Sequence, residues 1–456
     1  MRDLELDGMW WSVEGGPGVS GKLRYSRDEG IDLEVAQPLR ASQAYGEEPR
    51  CDVLFGLTND RKPVTLAGCY QTRSSNLLYG IGPESYSAHY VLLGSHISEP
   101  LRLEFSRFRF SFDDLFEWVG QRALRRSLEE DSDAPGNRWT ITCSPPDALV
   151  METSMGKLSI EHGVRENWRA REACLAQEVG FVFEPTTTQA LAAFNERVGR
   201  PLQDLLTLSA GRTNAFMNLS ARADPEETEW LEIYFQPLGA AAIHRPIHAS
   251  QMLLALSDVR EREEDFFDRW LTLPHRGLES VRTLLTGIQY RSEAFLDQRF
   301  LYAVHAAETF HREVIGGTEV PEVDHEARLN AILGPSPPEY QDWLKRKLRF
   351  SNALSLRRRL GELIDRACSP TREMLGPQPK RFVDIAVNTR NFYTHQQTTG
   401  SSSIARGSKL LWLTQALIVL LQDLLLGELG FDEEKRGNMI TRARGYELVA
   451  HLAADR

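Results

Sequence analysis

Two residues near the end of the sequence, Arg390 and His395, have the types and spacing for chemistry on a phosphate. Histidine exchanges a proton near neutral pH, and the planar guanidinium of arginine matches phosphate oxygens. Cleavage of RNA without a metal needs a group that takes the proton of the 2′-hydroxyl and a cation that stabilises the charge developing on phosphorus. Asn391 is placed to orient either side chain. This segment therefore predicts His395 as the proton-transfer group and Arg390 as the phosphate clamp.

The spacing of five residues limits what one copy of the chain can do. On a regular α-helix the two side chains project about 140° apart. A twofold contact brings one surface against its own copy, and would let an arginine and a histidine meet at one phosphate. The same spacing also arises by chance, and the alternative is that Arg390 pairs with an acid while His395 forms a hydrogen bond in a loop.

The elements that position this segment are predicted to be helices. Pro379 suits the first turn of a helix that ends near His395. The positions of this helix that are predicted to be buried are Phe382, Ile385, Ala386 and Thr389. A polar loop at 396–403 then leads to the apolar segment 410–429.

Four polar residues interrupt the apolar segment 410–429, and two of them are the acids Asp423 and Glu428. An unpaired acid in the middle of a membrane span is costly. The segment is therefore predicted to be a nearly buried helix of a bundle, with a membrane span as the less favoured alternative.

The rest of the chain divides into a β-rich part and a helical part. Alternation of apolar and polar residues, as in 31–35, predicts half-buried strands. Strands are predicted at 8–11, 20–25, 31–35, 51–57, 64–71, 88–93 and 101–112, and within a mixed segment at 139–142, 158–161 and 231–236. Helices are predicted at 188–198, 201–208, 264–273, 277–290, 294–314, 340–350, 354–368 and 442–453. The predicted fold class is α+β, with a β-rich N-terminal domain at 1–260 and an all-α bundle at 261–456.

Composition and charge narrow the function classes. The net charge is −11, but residues 281–456 carry 24 Lys and Arg against 21 Asp and Glu, a balance of +3. The C-terminal part is therefore the better candidate for contacting a polyanion. Five scattered cysteines without a CxxC pair favour a reducing compartment, and the acidic N-terminus does not resemble a secretory leader. We expect a cytoplasmic protein with no cofactor, no metal and no membrane partner.

Three stretches resemble a known family. The segment 300–312, Phe-Leu-Tyr-Ala-Val-His-Ala-Ala-Glu-Thr-Phe-His-Arg, resembles the first long helix of the ApeA-type HEPN domain. The segment 389–395 with the apolar segment after it is similar to the HEPN motif and final long helix. Gly8-Met9-Trp10 and Gly21-Lys22-Leu23 resemble the N-terminal domain of the same proteins.

The resemblance implies an anti-phage defence ribonuclease that acts as a homodimer through its HEPN domain, as in abortive infection. It assigns catalysis to Arg390, Asn391 and His395, and implies metal-independent endonuclease cleavage that leaves a 2′,3′-cyclic phosphate. RNA would be the substrate, with transfer RNA among the candidates. The N-terminal domain would serve sensing and regulation, and we hypothesise that it holds the site closed until a phage-derived trigger binds.

Two residues are assigned supporting roles. Glu308 is a carboxylate on an otherwise apolar helix face, where an acid usually has a partner. One interpretation is that it holds Arg390 in a bidentate pair. The alternative is a solvated acid or a structural salt bridge. Tyr393, inside the motif, is the second supporting residue.

The densest basic stretch is the candidate RNA-binding surface. It consists of Lys345, Arg346, Lys347, Arg349, Arg357, Arg358 and Arg359. Such a stretch could follow an RNA backbone. A solvated helix face is the alternative that the sequence favours, because aromatic residues for base stacking are few nearby.

Two other functions remain open. The helical bundle could be a non-catalytic module for dimerisation or RNA binding. It could also be a regulatory module in which Arg390 binds the phosphate of a nucleotide.

Overall fold

The computed structural model describes residues 1–12, 18–39, 52–77, 80–130, 137–224, 226, 229–237, 246–291, 293–395 and 404–454. The loop predicted at 396–403 and the first residue of the strand predicted at 51–57 lie outside the described residues. The chain forms two compact units, Met1–Leu271 and Thr272–Arg456. The domain division after residue 260 stays a prediction.

The first unit is built on antiparallel β-structure. Its strands are β1 Leu4–Trp11, β2 Val19–Ser26, β3 Gly30–Val35, β4 Val53–Thr58, β5 Pro63–Ala67, β6 Tyr70–Leu77, β7 Gly80–Ser87, β8 Tyr90–Leu93, β9 Glu104–Phe105, β10 Arg107–Phe112, β11 Leu124–Glu130, β12 Asn137–Cys143, β13 Leu149–Thr153, β14 Gly156–Arg169, β15 Glu172–Pro185, β16 Gln189–Ala190, β17 Phe216–Arg222 and β18 Leu231–Phe235. Fourteen strands form one sheet in the order β13-β14-β15-β10-β17-β18-β8-β5-β4-β1-β2-β3-β7-β6. The remaining strands pair as β11 with β12 and β16 with β9.

Tight packing around Trp10 explains the glycines near the N-terminus. Trp10 on β1 is fully buried and pairs in register with Gly56 on β4. A Cβ added to Gly56 would lie 2.4 Å from the Trp10 ring, and one added to Gly21 on β2 would lie 3.0 Å from it. Glycine at both positions lets the neighbouring strands approach the indole.

Two predicted strands differ from the structure. The strand predicted at 64–71 is two strands, β5 and β6, because the chain turns at Gly68 with a φ of 65°. The strand predicted at 101–112 begins only at Glu104 and is divided into β9 and β10. Alternation does not reveal a turn inside a continuous apolar run, which accounts for the first difference.

Aromatic side chains fill the core beneath β10. Phe108 stacks on Phe194 with ring centroids 4.0 Å apart, and Phe110 lies edge-on to the same ring at 5.1 Å. The helices of this unit are α1 Leu115–Val119, α2 Leu191–Phe194, α3 Arg200–Ala210 and α4 Glu263–Leu271. The indole of Trp270 on α4 donates a hydrogen bond to the Pro201 carbonyl on α3, which joins these two helices.

The second unit is helical. Its helices are α5 Glu279–Tyr290, α6 Leu296–Phe310, α7 Glu322–Leu333, α8 Pro338–Leu348, α9 Leu356–Asp365, α10 Ser369–Met374, α11 Pro379–His395, α12 Ser408–Glu428, α13 Glu433–Arg442 and α14 Arg444–Ala454. Helix α6 packs against α5, α9, α11 and α12. A π-helical turn, His311–Ile315, continues α6 and ends at Gly316, whose φ is 66°.

Helix α12 is the core of this bundle. By length and composition it is the one described helix that could cross a membrane, but 83% of its apolar window is buried inside the protein. Its fully buried acid, Asp423, accepts hydrogen bonds from Arg436 Nη1 at 2.8 Å and from the backbone N–H of Cys368 at 2.8 Å. The prediction of a buried bundle helix is therefore confirmed, and the buried acid is paired.

Candidate active site

Helix α11 carries the predicted catalytic residues. It begins at Pro379 and its last residue is His395. The buried side chains of its described face are Phe382, Val383, Ala386 and Thr389. Ile385, which was predicted to be buried, is only half-buried, and Val383 takes that place. Because the helix is continuous from Arg390 to His395, the two side chains project about 140° apart.

Arg390 has one acidic partner and one polar one. Its Nη2 lies 3.6 Å from Glu308 Oε1 on α6, and its Nη1 donates a hydrogen bond of 3.3 Å to Asn391 Oδ1. The contact with Glu308 is a single ion pair, longer than a hydrogen bond, and not the bidentate pair that was considered. The Arg390 and Glu308 side chains are 31% and 29% exposed. The guanidinium is therefore oriented and still reaches solvent.

His395 is the last residue of α11. Its side chain is exposed and forms no hydrogen bond or ion pair with any residue in the described part of the chain. An exposed imidazole without a partner is free to approach a ligand or a second chain. The hydrogen-bonded loop histidine of the alternative interpretation is not what the described residues contain.

Tyr393 packs against α6. Its ring centroid lies 6.4 Å from that of Phe300 and 5.2 Å from that of Phe392. These contacts hold the last turn of α11 against α6, so the structure gives Tyr393 a packing position beside the motif.

A second cation, Arg406, lies beside the motif and was missed from the sequence. The guanidinium of Arg406 lies 5.0 Å from the centroid of the Phe392 ring. The neighbouring Ala405 is fully buried, and its backbone N–H donates a hydrogen bond of 2.9 Å to Thr389 Oγ1. The chain before α12 is thereby fixed against the last turns of α11. The signal was weak because ten residues lie between His395 and Arg406 in the sequence.

His311 links α6 to α9. Its ring is fully buried, and Nε2 lies 2.8 Å from Glu362 Oε2. Glu362 also accepts a hydrogen bond of 2.9 Å from Arg358 Nε. The hydrogen bond from His311, followed by that from Arg358, lowers the pKa of the Glu362 carboxyl from its ordinary value. The contact between His311 and Glu362 thereby attaches the end of α6, the helix that carries Glu308, to α9.

The structure separates the predicted basic surface into two groups. The three arginines of α9 are engaged: Arg357 pairs with Asp384, Arg358 with Glu362, and Arg359 Nε donates to the Leu354 carbonyl at 3.0 Å. The cations of α8 are exposed. Lys345, Arg346 and Lys347 form no ion pair with any described residue, and Arg349 lies 5.3 Å from the centroid of the Phe350 ring.

Two further features complete the helical unit. A cavity of about 560 Å³ lies between α9 and α11, and Gly361, Ile364, Pro379 and Val383 form part of its lining. Arg357 and Lys380 also border it. The described ranges contain no group of three or more His, Cys, Asp or Glu side chains that could hold a metal ion.

Comparison with protein families matches both units. The family model for ApeA N-terminal domain 1 matches residues 5–270, and the model for the Apea-like HEPN domain matches residues 301–435. No curated protein and no solved structure matches the chain.

Proposed function

The chain belongs to the family of ApeA-type HEPN proteins, and we propose that it is a metal-independent ribonuclease of anti-phage defence. A HEPN-type domain suggests a ribonuclease or defence role. The observation that carries the more specific proposal is the last turn of α11. There a partly exposed guanidinium, oriented by Glu308 and Asn391, shares one helix end with an exposed histidine.

In the proposed reaction His395 takes the proton of a ribose 2′-hydroxyl. The 2′-oxygen forms a bond to phosphorus as the bond from phosphorus to the 5′-oxygen breaks, so the products are a 2′,3′-cyclic phosphate and a 5′-hydroxyl. The departing oxygen takes a proton from an imidazolium or from water. Arg390 binds the non-bridging oxygens and stabilises the charge that develops on them. Asn391 holds the guanidinium in its orientation through the 3.3 Å hydrogen bond.

The proposed site is shared by two copies of the chain. An angle of about 140° between Arg390 and His395 keeps them from converging on one phosphate within one helix. A twofold dimer with α11 at its interface would place the arginine of one copy beside the histidine of the other. Each dimer would then contain two composite sites.

The test is cleavage of RNA by the purified chain in the presence of EDTA. Transfer RNA and messenger RNA are incubated with the parent and with a His395→Ala variant purified in the same way, which controls for contaminating ribonuclease. We expect only the parent to cut, and its fragments to carry a 2′,3′-cyclic phosphate and a 5′-hydroxyl. Equal cleavage by both proteins, or complete loss of cleavage in EDTA, would remove the proposal.

A nucleotide-binding regulatory role is the second candidate, favoured by the cavity between α9 and α11. Its apolar lining suits a base and Lys380 suits a phosphate, while Arg357 is paired with Asp384, and Asp384 and Asp365 also line the cavity. A rise in melting temperature with ATP and none with RNA would support this role over the first.

Regulation by the N-terminal unit is the remaining part of the proposal. A cytoplasmic ribonuclease must be restrained in its own cell, and a phage component that binds the β-rich unit would release it. Expression of residues 272–456 alone is expected to be more toxic than expression of the full chain. Equal toxicity, at equal amounts of folded protein, would contradict this proposal.

A further inference from the structure

Helices α7 and α8 form a hairpin inserted between α6 and α9. Asn352 closes its base: Oδ1 accepts a hydrogen bond of 3.1 Å from the Val320 N–H, and Nδ2 donates one of 3.1 Å to the Val320 carbonyl. An antiparallel bridge joins Thr318 to Ala353 beside them. The hairpin therefore leaves the bundle and returns to it at one fixed point.

The hairpin has little interior of its own. Among the described side chains of α7 only His325 is buried, and none of α8 is. Leu329, Leu344 and Leu348 are half-buried. Most of the hairpin surface therefore faces solvent, and its helices do not owe their sequence to packing in the bundle.

Three aromatic side chains on this surface are exposed without an evident structural reason. Tyr340 is 54% exposed, Trp343 is 51% exposed and Phe350, just after α8, is 74% exposed. Tyr340, Trp343 and Lys347 are spaced by three and four residues and so share one face of α8. A large exposed apolar patch beside polar residues is typical of an interaction site.

The cations of α8 lie in its last turn, after the acids Glu339 and Asp342 in its first half, so its C-terminal end is the part that fits a polyanion. Lys345, Arg346 and Lys347 are exposed and have no ion-pair partner among the described residues, whereas each arginine of α9 has a partner. Unpaired cations beside exposed aromatic faces are how proteins bind single-stranded nucleic acid: the cations take the phosphates, and bases stack on the rings.

We propose that the hairpin of α7 and α8 is an arm that binds single-stranded RNA, through stacking on Trp343 and Tyr340 and through phosphate contacts of Arg346 and Lys347, whereas Lys345 lies on the opposite face of α8. The proposal rests on the proposed ribonuclease function and assigns the substrate a binding surface outside the catalytic residues. A second copy of the chain is the less favoured occupant. A twofold contact through this face would set these cations against identical cations.

The arm and the candidate site are connected through α6. Glu308, the partner of Arg390, lies seven residues before Ile315, where the π-helical turn ends and the hairpin begins. At 1.5 Å per residue this is about 10 Å along the helix. The base of the hairpin at Thr318, three residues further on, therefore directly follows the helix that carries the partner of Arg390.

Fluorescence anisotropy with the full chain tests the arm. The probe is a fluorescein-labelled, adenine-rich 2′-O-methyl oligonucleotide of about twelve nucleotides, which cannot be cut because it lacks the 2′-hydroxyl. Trp343→Ala is expected to weaken binding by about 5- to 150-fold, the range for loss of one stacked base, and Trp343→Phe to retain most of the affinity. Val323→Ala is the matched control, since Val323 is 77% exposed on the same hairpin.

The salt dependence of RNA affinity tests the proposed phosphate contacts. Replacing Arg346 and Lys347 together by alanine is expected to reduce the slope of log affinity against log salt by about 1.4, which is about 0.7 for each phosphate contact. Lys435→Ala, an exposed cation of α13, is the control and should leave the slope unchanged. In cleavage assays the arm variants should raise KM and leave kcat unchanged.

Three results would contradict the proposal that the arm binds single-stranded RNA. The first is parental affinity in Trp343→Ala and in the double variant of Arg346 and Lys347. The second is a molar mass by light scattering that falls from dimer to monomer in Trp343→Ala while RNA affinity is kept, which would assign the surface to a second copy. The third is equal affinity for a duplex of the same length. Failure of the proposed function looks different: the parent binds the probe through Trp343 and the cations, yet cuts no RNA.

Discussion

A mixed dimer that combines an Arg390→Ala copy with a His395→Ala copy should cut RNA, although each variant alone should not. Loss of positioned proton transfer costs about 10²–10⁴-fold, and loss of a preorganised cation costs about 10²–10³-fold. Each homodimer of one variant lacks the same group at both composite sites. In the mixed dimer one site keeps both groups, because it takes the arginine from one copy and the histidine from the other.

The expected magnitude follows from this geometry. One of the two composite sites is intact, so the mixed dimer should have about half of the parental kcat per dimer. The fold should survive both changes. His395 is exposed without a described partner, and Arg390 loses one half-exposed ion pair worth about 0.2–1 kcal/mol. For a unit of this size that corresponds to a melting shift of about 2–4 °C at most.

The assay uses two affinity tags, one on each variant, and tandem purification of co-expressed mixed dimers. Thr394→Ala and Arg381→Ala, at exposed positions of the same helix, are the matched controls and should keep parental activity. Activity of the mixed dimer no higher than that of either homodimer would refute the shared site. It would place the arginine and histidine of each site on one chain, or remove them from the chemistry.

Four further predictions concern positions with a defined environment. Glu308→Gln should lower kcat by up to about fivefold, the kinetic equivalent of a half-exposed ion pair, and this effect should vanish in an Arg390→Ala background. Gly56→Ala should destabilise the β-rich unit by about 1–3 kcal/mol because its Cβ would lie 2.4 Å from the Trp10 ring; a melting temperature equal to that of the parent would contradict the packing around Trp10. Hydrogen bonds from His311 and Arg358 lower the pKa of the Glu362 carboxyl, so their stabilisation is present above its ordinary pKa and is lost as the pH falls through the folded-state pKa. The difference in melting temperature between parent and Glu362→Gln should therefore stay constant above about pH 5 and narrow as the pH falls below the ordinary carboxyl pKa of 4.5. Under native conditions iodoacetamide should modify the exposed Cys143 and Cys174 before the buried Cys69 and Cys368, because burial also raises the pKa of the Cys368 thiol; peptide mass spectrometry reads the order.

The sequence predicted the positions of single helices better than it predicted which strands pair. Pro379 and the apolar spacing located α11, and the interrupted apolar run located α12, since both signals lie within one element. The pairing of β18 with β8 and of β10 with β15 was beyond the sequence. Those contacts join distant residues, and alternation of side chains does not say which strand lies alongside.

The sequence also did not predict which charged residues of the site pair with one another. Glu308 drew attention as an acid on an apolar face, and the structure places it beside Arg390 as a single ion pair. The basic residues of α8 and α9 look alike in sequence. Only the fold reveals that Arg357 pairs with Asp384 and Arg358 with Glu362, while Lys345, Arg346 and Lys347 stay open. A count of cations cannot separate structural charges from those available to a ligand.

The direction in which α11 runs along α6 predicts that the arm variants affect RNA binding and not the catalytic step. Arg390 lies beside Glu308. Tyr393, one turn further along α11, lies beside Phe300, which is two turns nearer to the start of α6. The two helices are therefore antiparallel, and from Arg390 to His395 α11 runs away from the end of α6 that carries the hairpin. In the proposed complex an RNA strand on the arm would meet Arg390 before the histidine end of the same helix. Arm variants should consequently change how tightly RNA is held, while in the proposed dimer the catalytic histidine would come from the other copy and would not be affected by them.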